Sequence, residues 1–450
     1  MISAEKTRFK LTYAQLSAIG FLIIILVGAL ILSLPISSRT GEFTPFINSL
    51  FTSASATCVT GLVVYDTYSH FSVFGQTVIM VLIQIGGLGF MTIAAMFFLM
   101  LRKRIGIKER TFLKESINTM HIGGVVRLVK HIIIGTVILE GLGIIVLSIK
   151  FSSEMGIKAG IFNGVFHSVS AFSNAGFDLM GRYGEYSSLT RYSNDIIINI
   201  TIMILIIAGG IGFIVWEDIW KNKHKVKKYQ LHSKIVLSTT ILLILLSTIG
   251  FYIMEKNNLF IDASLKESIL SSLFQAVTPR TAGFNTIDTA SLSEGSKLLT
   301  MILMIIGGSS GSTAGGIKTT TFIVAILSVV SLVRHSDDLN IYGRRLEDNV
   351  VKRGYSIITI YILGAFLAML LISIIQPQLA LNDIVFEVLS AIGTVGMSTG
   401  ITRNLVGASK LIIIILMYCG RIGSLVVLLA VAENKKNVIV KKPLEKIIIG

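Results

Sequence analysis

Long apolar runs alternate with short polar joints along this chain. Eight runs are long enough to cross a bilayer: 14–34, 74–101, 129–149, 195–216, 233–254, 296–333, 355–376 and 409–431. A spanning helix needs about 20 apolar residues. Between the members of each successive pair lies a shorter, mildly apolar stretch, at 46–57, 160–173, 267–278 and 382–392. Stretches of this length do not reach across the hydrocarbon core, so they predict re-entrant helices. The first run follows Lys6, Arg8 and Lys10. It exceeds the roughly 7–15 apolar residues of a signal peptide and predicts a retained spanning helix.

The pattern repeats. After each short helix comes a small-residue stretch centred on a glycine: SATCVTGL (Gly61), SAFSNAGF (Gly176), VTPRTAGF (Gly283) and AIGTVGMS (Gly396). The following span carries a second signature: IGGLGF (Gly86), AGGIGF (Gly209), IGGSSG (Gly307) and CGRIGS (Gly420). First and second glycines stand 25, 33, 24 and 24 residues apart. Four such matches in order define an internal repeat. The expected units are 1–110, 111–225, 226–345 and 346–450. The expected fold is an all-α polytopic membrane protein of four parallel membrane–pore–membrane repeats in pseudo-fourfold arrangement, with eight spanning helices and four re-entrant pore helices.

Charge fixes the orientation. The joints 1–10, 102–131, 220–234, 333–353 and 434–446 carry 27 of the 40 Lys and Arg residues. The positive-inside rule places these joints and both termini in the cytoplasm, so the short helices dip in from outside. The net charge of +15 is spread between apolar runs and forms no basic stripe with interleaved aromatics, which argues against a nucleic-acid partner. Cys58 and Cys419 lie in or beside apolar segments and give neither a disulfide framework nor a metal-ligand spacing. His121, His131, His167, His224 and His232 do not cluster with acids or cysteines along the chain. No metal or catalytic role follows for them, and neither a nucleophile–base pair nor a carboxylate pair marks an enzyme.

Non-helical backbone at membrane depth is tolerated where it is buried in protein or lines a wet cavity. Four small-residue loops brought to one axis satisfy that condition. A ring of backbone carbonyls replaces the hydration shell of a monovalent cation, and glycine lets carbonyls turn inward because positive φ costs it nothing. The loops hold no ring of Asp or Glu, which argues against a divalent-cation pore. Arg280 lies three residues before the central glycine Gly283 and is expected at the rim or in the scaffold.

GTVG, Gly393 to Gly396, resembles the potassium-channel filter motif. With the fourfold repeat and one central glycine per loop, the chain resembles the Trk/Ktr/HKT potassium transporter superfamily over essentially its whole length. QAVTPRTAGFN (Gln275–Asn285), IQIGGLGFMT (Ile83–Thr92) and GRIG (Gly420–Gly423) are close to the membrane subunit of bacterial Ktr systems, of KtrB or KtrD type. Trk-type subunits are similar but carry an extra N-terminal helix pair. The resemblance implies K⁺ uptake across the bacterial plasma membrane, with no cofactor and with Na⁺ as a candidate activator. It implies a filter formed by Val59, Thr60 and Gly61, by Asn174, Ala175 and Gly176, by Thr281, Ala282 and Gly283, and by Thr394, Val395 and Gly396. Only the fourth loop keeps Thr-Val-Gly, and none keeps Thr-Val-Gly-Tyr-Gly, which implies fewer ordered ion sites than in a tetrameric potassium channel. Cys58 and Asn174 depart from a uniform ring. The implied partners are a second copy of the chain and a cytosolic ring of RCK-type subunits (KtrA/KtrC-like) that bind ATP or ADP and cyclic di-AMP. The basic joints 102–131 and 220–234 offer that ring a docking face, or serve as topogenic charge against anionic lipid. The tail 447–450 is expected at the dimer interface.

The sixth span reads IIGGSSGSTAGGIKTTT, Ile305 to Thr321. Each glycine inside a helix costs about 1 kcal/mol against alanine, so a break is expected here. Gly307, Gly308, Gly311, Gly315 and Gly316 would form a loop at membrane depth. In the family the corresponding loop obstructs the pore below the filter; the competing reading is close helix packing. GSTAGGIKT nearly matches a phosphate-binding loop, but Ile317 separates Gly316 from Lys318 and no strand precedes it. Arg421 stands where the other units have Gly87, Gly210 and Gly308. An intramembrane charge is a functional hypothesis by default, and the repeat places it below the filter, facing the loop. Lys318 guards the inner mouth or snorkels. Glu140 is a proton or Na⁺ site or a paired structural carboxylate. A Na⁺- or H⁺-coupled secondary carrier is the alternative class, though such carriers usually use inverted repeats.

Overall fold

The computed structural model describes residues 12–89, 124–335 and 338–423, with isolated positions between 92 and 114 and at 443 and 445. The far end of the second predicted span, much of the basic joint 102–131, the end of the eighth span, the basic joint 434–446 and the tail 447–450 lie outside the described residues.

The described chain is helical, apart from a two-stranded hairpin pairing Asn340–Ile341 with Arg344–Arg345. The order long helix, short helix, second helix recurs four times. It runs α1 (Tyr13–Ser33), α2 (Phe46–Thr57), α3 (Val73–Leu88); then α4 (Val125–Met155), α5 (Ile157–Phe172), α6 (Ile196–Ile211) and α7 (Phe213–Asn222). It continues as α8 (Leu231–Glu255), α9 (Leu265–Val277), α10 (Glu294–Ile305) and α11 (Thr319–Val333), and closes as α12 (Asp348–Ile375), α13 (Leu381–Gly393) and α14 (Gly407–Ile422). The short helices α2, α5, α9 and α13 match the expected stretches to within a few residues. Caps set many of these boundaries: Thr12 closes a capping box on α1, Ser72 caps α3, Asp195 caps α6 and Ser264 caps α9.

The eight expected spans differ in continuity, and the sixth is broken as expected. Among the described residues, four helices are long and apolar enough to cross alone: Gln15–Ser33, Val125–Met155, Leu231–Glu255 and Asn349–Ile375. Each is the first helix of its unit. Within the described residues, the second helix of each unit ends at or beside its glycine signature. α3 stops at Gly89 (φ 79°), α14 at Gly423 (φ 96°), and α6 turns into α7 at Gly212 (φ 94°) through 96°. The sixth span breaks completely between Ile305 and Thr319. The physical reason is the second signature: a glycine in a conformation that L side chains rarely adopt ends the helix at the corresponding level in three units.

The long helices face lipid with residues such as Leu30, Leu142, Ile241, Leu245, Leu363 and Phe366, all exposed in the isolated chain. The short helices are buried at the centre. Each carries a wholly buried phenylalanine with a hydroxyl residue four positions later: Phe51 and Ser55, Phe166 and Ser170, Phe274 and Thr278, Phe386 and Ser390. Positions i and i+4 share one helix face, so the ring packs and the hydroxyl reaches the loop that follows.

Candidate functional site

The four glycine loops meet. A β-carbon built on Gly61 would lie 2.6 Å from the carbonyl oxygen of Ala175; on Gly176, 2.6 Å from that of Ala282; on Gly283, 2.6 Å from that of Val395; on Gly396, 2.1 Å from that of Thr60. Each glycine thus abuts the residue before the next glycine, and the fourth returns to the first. The contacts close a ring.

Backbone conformation repeats around it. Val59, Asn174, Thr281 and Thr394 have φ of 49°, 57°, 72° and 52°, and the glycines two residues later have φ of 96°, 69°, 83° and 90°. Thr60, Ala175, Ala282 and Val395 between them are not in this region. Alternating hand along a strand is the backbone pattern that lets successive carbonyls turn toward one side. Positive φ at four non-glycine residues is strained, so the scaffold must hold it.

The hydroxyls at the pore-helix ends do that. Ser55 Oγ accepts from Gly61 N and Ser390 Oγ from Gly396 N, both at 3.1 Å. Ser170 Oγ donates to Phe177 O at 2.7 Å and Thr278 Oγ1 to Phe284 O at 2.5 Å. In units one, two and four the hydroxyl precedes the glycine by six residues; in unit three, by five. The backbone registers this difference: Thr60, Ala175 and Val395 donate five residues back, Ala282 four.

The second signature explains itself by close approach. β-carbons on Gly86, Gly209 and Gly420 would lie 2.0, 2.0 and 2.2 Å from the carbonyl oxygens of Thr57, Phe172 and Ile392, at the C-terminal ends of their own pore helices. Gly307 departs: its neighbour is Gly315 O.

Residues 306–318 form the expected loop, directly against the inner side of the ring. Its root is tied by the parallel Ile306–Ile317 bridge, with Gly307 N to Ile317 O at 2.9 Å and Thr319 N to Gly308 O at 3.1 Å. Its flank rests on the second unit: Ser309 N donates to Gly210 O, Thr313 N to Gly209 O, and Phe213 N to Gly311 O. Its tip touches the strands of the ring. A β-carbon on Gly315 would meet Thr394 Oγ1, and one on Gly316 would lie 3.1 Å from Gly393 O. Asn174, which departs from a uniform ring, is the link: its Nδ2 donates to Thr281 Oγ1 at 3.3 Å and its Oδ1 accepts from Thr313 Oγ1 at 3.4 Å.

Arg421 faces the loop, as expected. Its guanidinium donates to Thr313 O, to Gly86 O and, at 2.9 Å, to Gly87 O. It thereby joins the loop to the second helix of unit one. Lys318 does not snorkel; its Nζ folds back onto Ala314 O at 2.6 Å and Gly315 O at 3.3 Å. Glu140 stands outside this assembly and accepts from Gln84 Nε2 at 3.2 Å. Arg280 is buried beside the third loop, with one hydrogen bond, to Thr240 Oγ1 at 3.2 Å.

Outside the ring opens a vestibule of about 160 Å³ floored by Gly61, Gly176, Gly283 and Gly396. Asp66, Asp178 and Asp288 stand on its wall with Arg403, whose guanidinium lies over the Tyr186 ring. Burial raises the Asp178 carboxyl to about 7; the Met180 N–H opposes this and the neighbouring Asp66 charge adds to it. These aspartates were not singled out from sequence, although Asp66 and Asp288 each stand five residues after their glycines and Asp178 two after its own.

Residues 11–440 match the TrkH family, described as a cation transport protein. This chain belongs to the TrkH family. The TrkH-family fold is confirmed by the crystal structure of the potassium transporter TrkH from Vibrio parahaemolyticus, with a TM-score of 0.75 at 17% identity, covering 96% of this chain and 87% of that one. Among relatives, the potassium/sodium uptake protein NtpJ of Enterococcus hirae is 41% identical over the full length of both chains. The Ktr system potassium uptake protein B of Bacillus subtilis is 41% identical over 95% of each, and protein D of the same organism 34% over 98% of each. As a TrkH-family member the chain is a multi-pass plasma-membrane protein and a transporter rather than an enzyme.

Proposed function

We propose that the chain is the translocating subunit for channel-like K⁺ uptake in a Ktr-type system. The filter is formed by Val59–Gly61, Asn174–Gly176, Thr281–Gly283 and Thr394–Gly396, and the gate by Gly307 through Lys318 with Arg421. The single observation that carries this reading is the closed ring of contacts from Gly61 through Gly176 and Gly283 to Gly396 and back to Thr60. Neutral carbonyls in such a ring hold a desolvated monovalent cation without trapping it. The relatives named for potassium uptake supply the ion; the name of one of them also includes sodium, which supports Na⁺ as an activator or second cargo.

In this reading the loop closes the path from below, and Arg421 holds it shut by donating to Thr313 O. Lys318 adds a positive charge that opposes cation entry from the inside. The four units 1–110, 111–225, 226–345 and 346–450 then each contribute one pore helix and one filter strand. The cytosolic RCK-type ring would act on the loop from the inner face, and a second copy of the chain would cover part of the exposed apolar flank.

The test is K⁺ uptake in a strain lacking its own potassium transporters, comparing the wild type with Gly283→Ser and Gly396→Ser. Restored uptake by the wild type, and its loss or a shift toward Na⁺ in both variants, is expected. Equal uptake and equal K⁺ preference in all three would overturn the filter.

A further inference from the structure

Arg280 is 8% exposed, lies three residues before the filter glycine Gly283, and is one of the few charges buried at this depth. Its partner set is thin. Thr240 Oγ1 accepts from one terminal nitrogen, and Nε is buried with no hydrogen-bond partner. A guanidinium offers five N–H donors and does not deprotonate. Buried charges are otherwise paired, because removing an ion from water without compensation costs many kcal/mol.

The unpaired side chain lines a crevice between α6 and α8. Ile206, Ile211, Ile244 and Val277 form its apolar walls, Thr240 and Arg280 its polar end, and Gly210 and Gly308 its floor at the root of the intramembrane loop. Its cavity volume is about 10 Å³, enough for about one water-sized occupant. No Asp or Glu stands among the lining residues. A neutral water there would satisfy donors but leave the charge whole. The nearby C-terminus of α9 supplies only a partial negative charge.

We propose that this crevice is a binding site for a single small monovalent anion of the chloride class, held by Arg280 behind the filter. The anion completes the guanidinium's hydrogen bonds and cancels its charge. The K⁺ path three residues away then does not feel an uncompensated cation. The apolar walls and the space for one occupant favour a weakly hydrated monatomic anion over a phosphate group. Arg280 has no described hydrogen bond to Arg421 or Lys318, and the crevice meets the loop only at Gly308.

The test uses the purified full-length protein at fixed K⁺ concentration, with chloride, bromide or gluconate as the anion. The melting temperature of the wild type is expected to rise by several degrees, saturably, in chloride and bromide but not in gluconate. Arg280→Met loses that dependence, and Arg280→Lys keeps it with weaker half-saturation. Identical melting in all three salts for the wild type, or chloride dependence retained in Arg280→Met, overturns the site. Should Arg280→Met fail to fold, bromide-soaked crystals of the wild type decide: an anomalous peak beside the guanidinium supports the proposal, and an empty crevice overturns it. Stabilisation restored to delipidated protein only by anionic phospholipid, and not by chloride, would assign the site to a lipid phosphate and also overturn it.

Discussion

Gly396 and Thr60 come from the last and first units of the chain, yet a β-carbon on Gly396 would sit 2.1 Å from the Thr60 carbonyl oxygen. That approach shuts the ring. It also shows why glycine is required: φ at Gly396 is 90°, and backbone, not a flexible side chain, fills the space a methyl would take. Gly396→Ala must therefore displace the first strand. We expect at least a tenfold loss of K⁺ uptake, corresponding to about 1.4 kcal/mol or more at the barrier, with normal membrane insertion measured by surface labelling.

Ser55 and Ser390 pin the first and fourth strands, neighbours in the ring, through the amides of Gly61 and Gly396. A buried amide left without its acceptor costs about 1–3 kcal/mol. Ser55→Ala with Ser390→Ala is expected to let the strands relax and to lower the K⁺ over Na⁺ preference, read as competition of Na⁺ against ⁸⁶Rb⁺ uptake. Unchanged competition would remove the clamps from selectivity.

Arg421→Ala frees Thr313 O, Gly86 O and Gly87 O at once. The loop loses its tie to unit one, so ⁸⁶Rb⁺ flux into proteoliposomes without regulatory subunits should rise several-fold. Arg421→Lys, with a point charge in place of a fork of donors, should fall between. Flux and cation discrimination equal to wild type in Arg421→Ala would exclude this residue from gating.

Asp178 gives the outer mouth a pH dependence. Its carboxyl, raised to about 7 by burial and by Asp66, is neutral below that pH and charged above it. A further negative charge on the vestibule wall concentrates K⁺, by about fivefold for one charge at about 4 Å in water. Uptake at low external K⁺ should climb by that factor as external pH rises through 7, and Asp178→Asn should flatten the profile at the lower rate. A wild-type profile flat between pH 6 and 8 would contradict this.

Much of the architecture was legible in the sequence because hydrophobic length and glycine spacing are direct physical requirements. The pore helices were found to within a few residues, since a dozen mildly apolar residues followed by Gly61 or Gly176 has few other uses. The break after Ile305 was found because five glycines in ten residues do not remain helical. The helix ends at Gly89, Gly212 and Gly423 were not read from the sequence: a single glycine inside an apolar run is tolerated in a helix, and only its φ reveals the stop. The Phe-x-x-x-Ser/Thr pattern of the pore helices was present at four places and not read, because buried hydroxyls in an apolar helix look like ordinary small residues. The role of Asn174 as the link between Thr281 and Thr313 rests on tertiary geometry that spacing does not encode.

Rubidium provides the most direct measurement of the central claim. Crystals of the full-length protein grown or soaked in Rb⁺ should show anomalous density on the axis of the ring, encircled by the carbonyl oxygens of Thr60, Ala175, Ala282 and Val395. Rubidium density absent from that axis, with ordered sites elsewhere in the membrane region, would contradict the account.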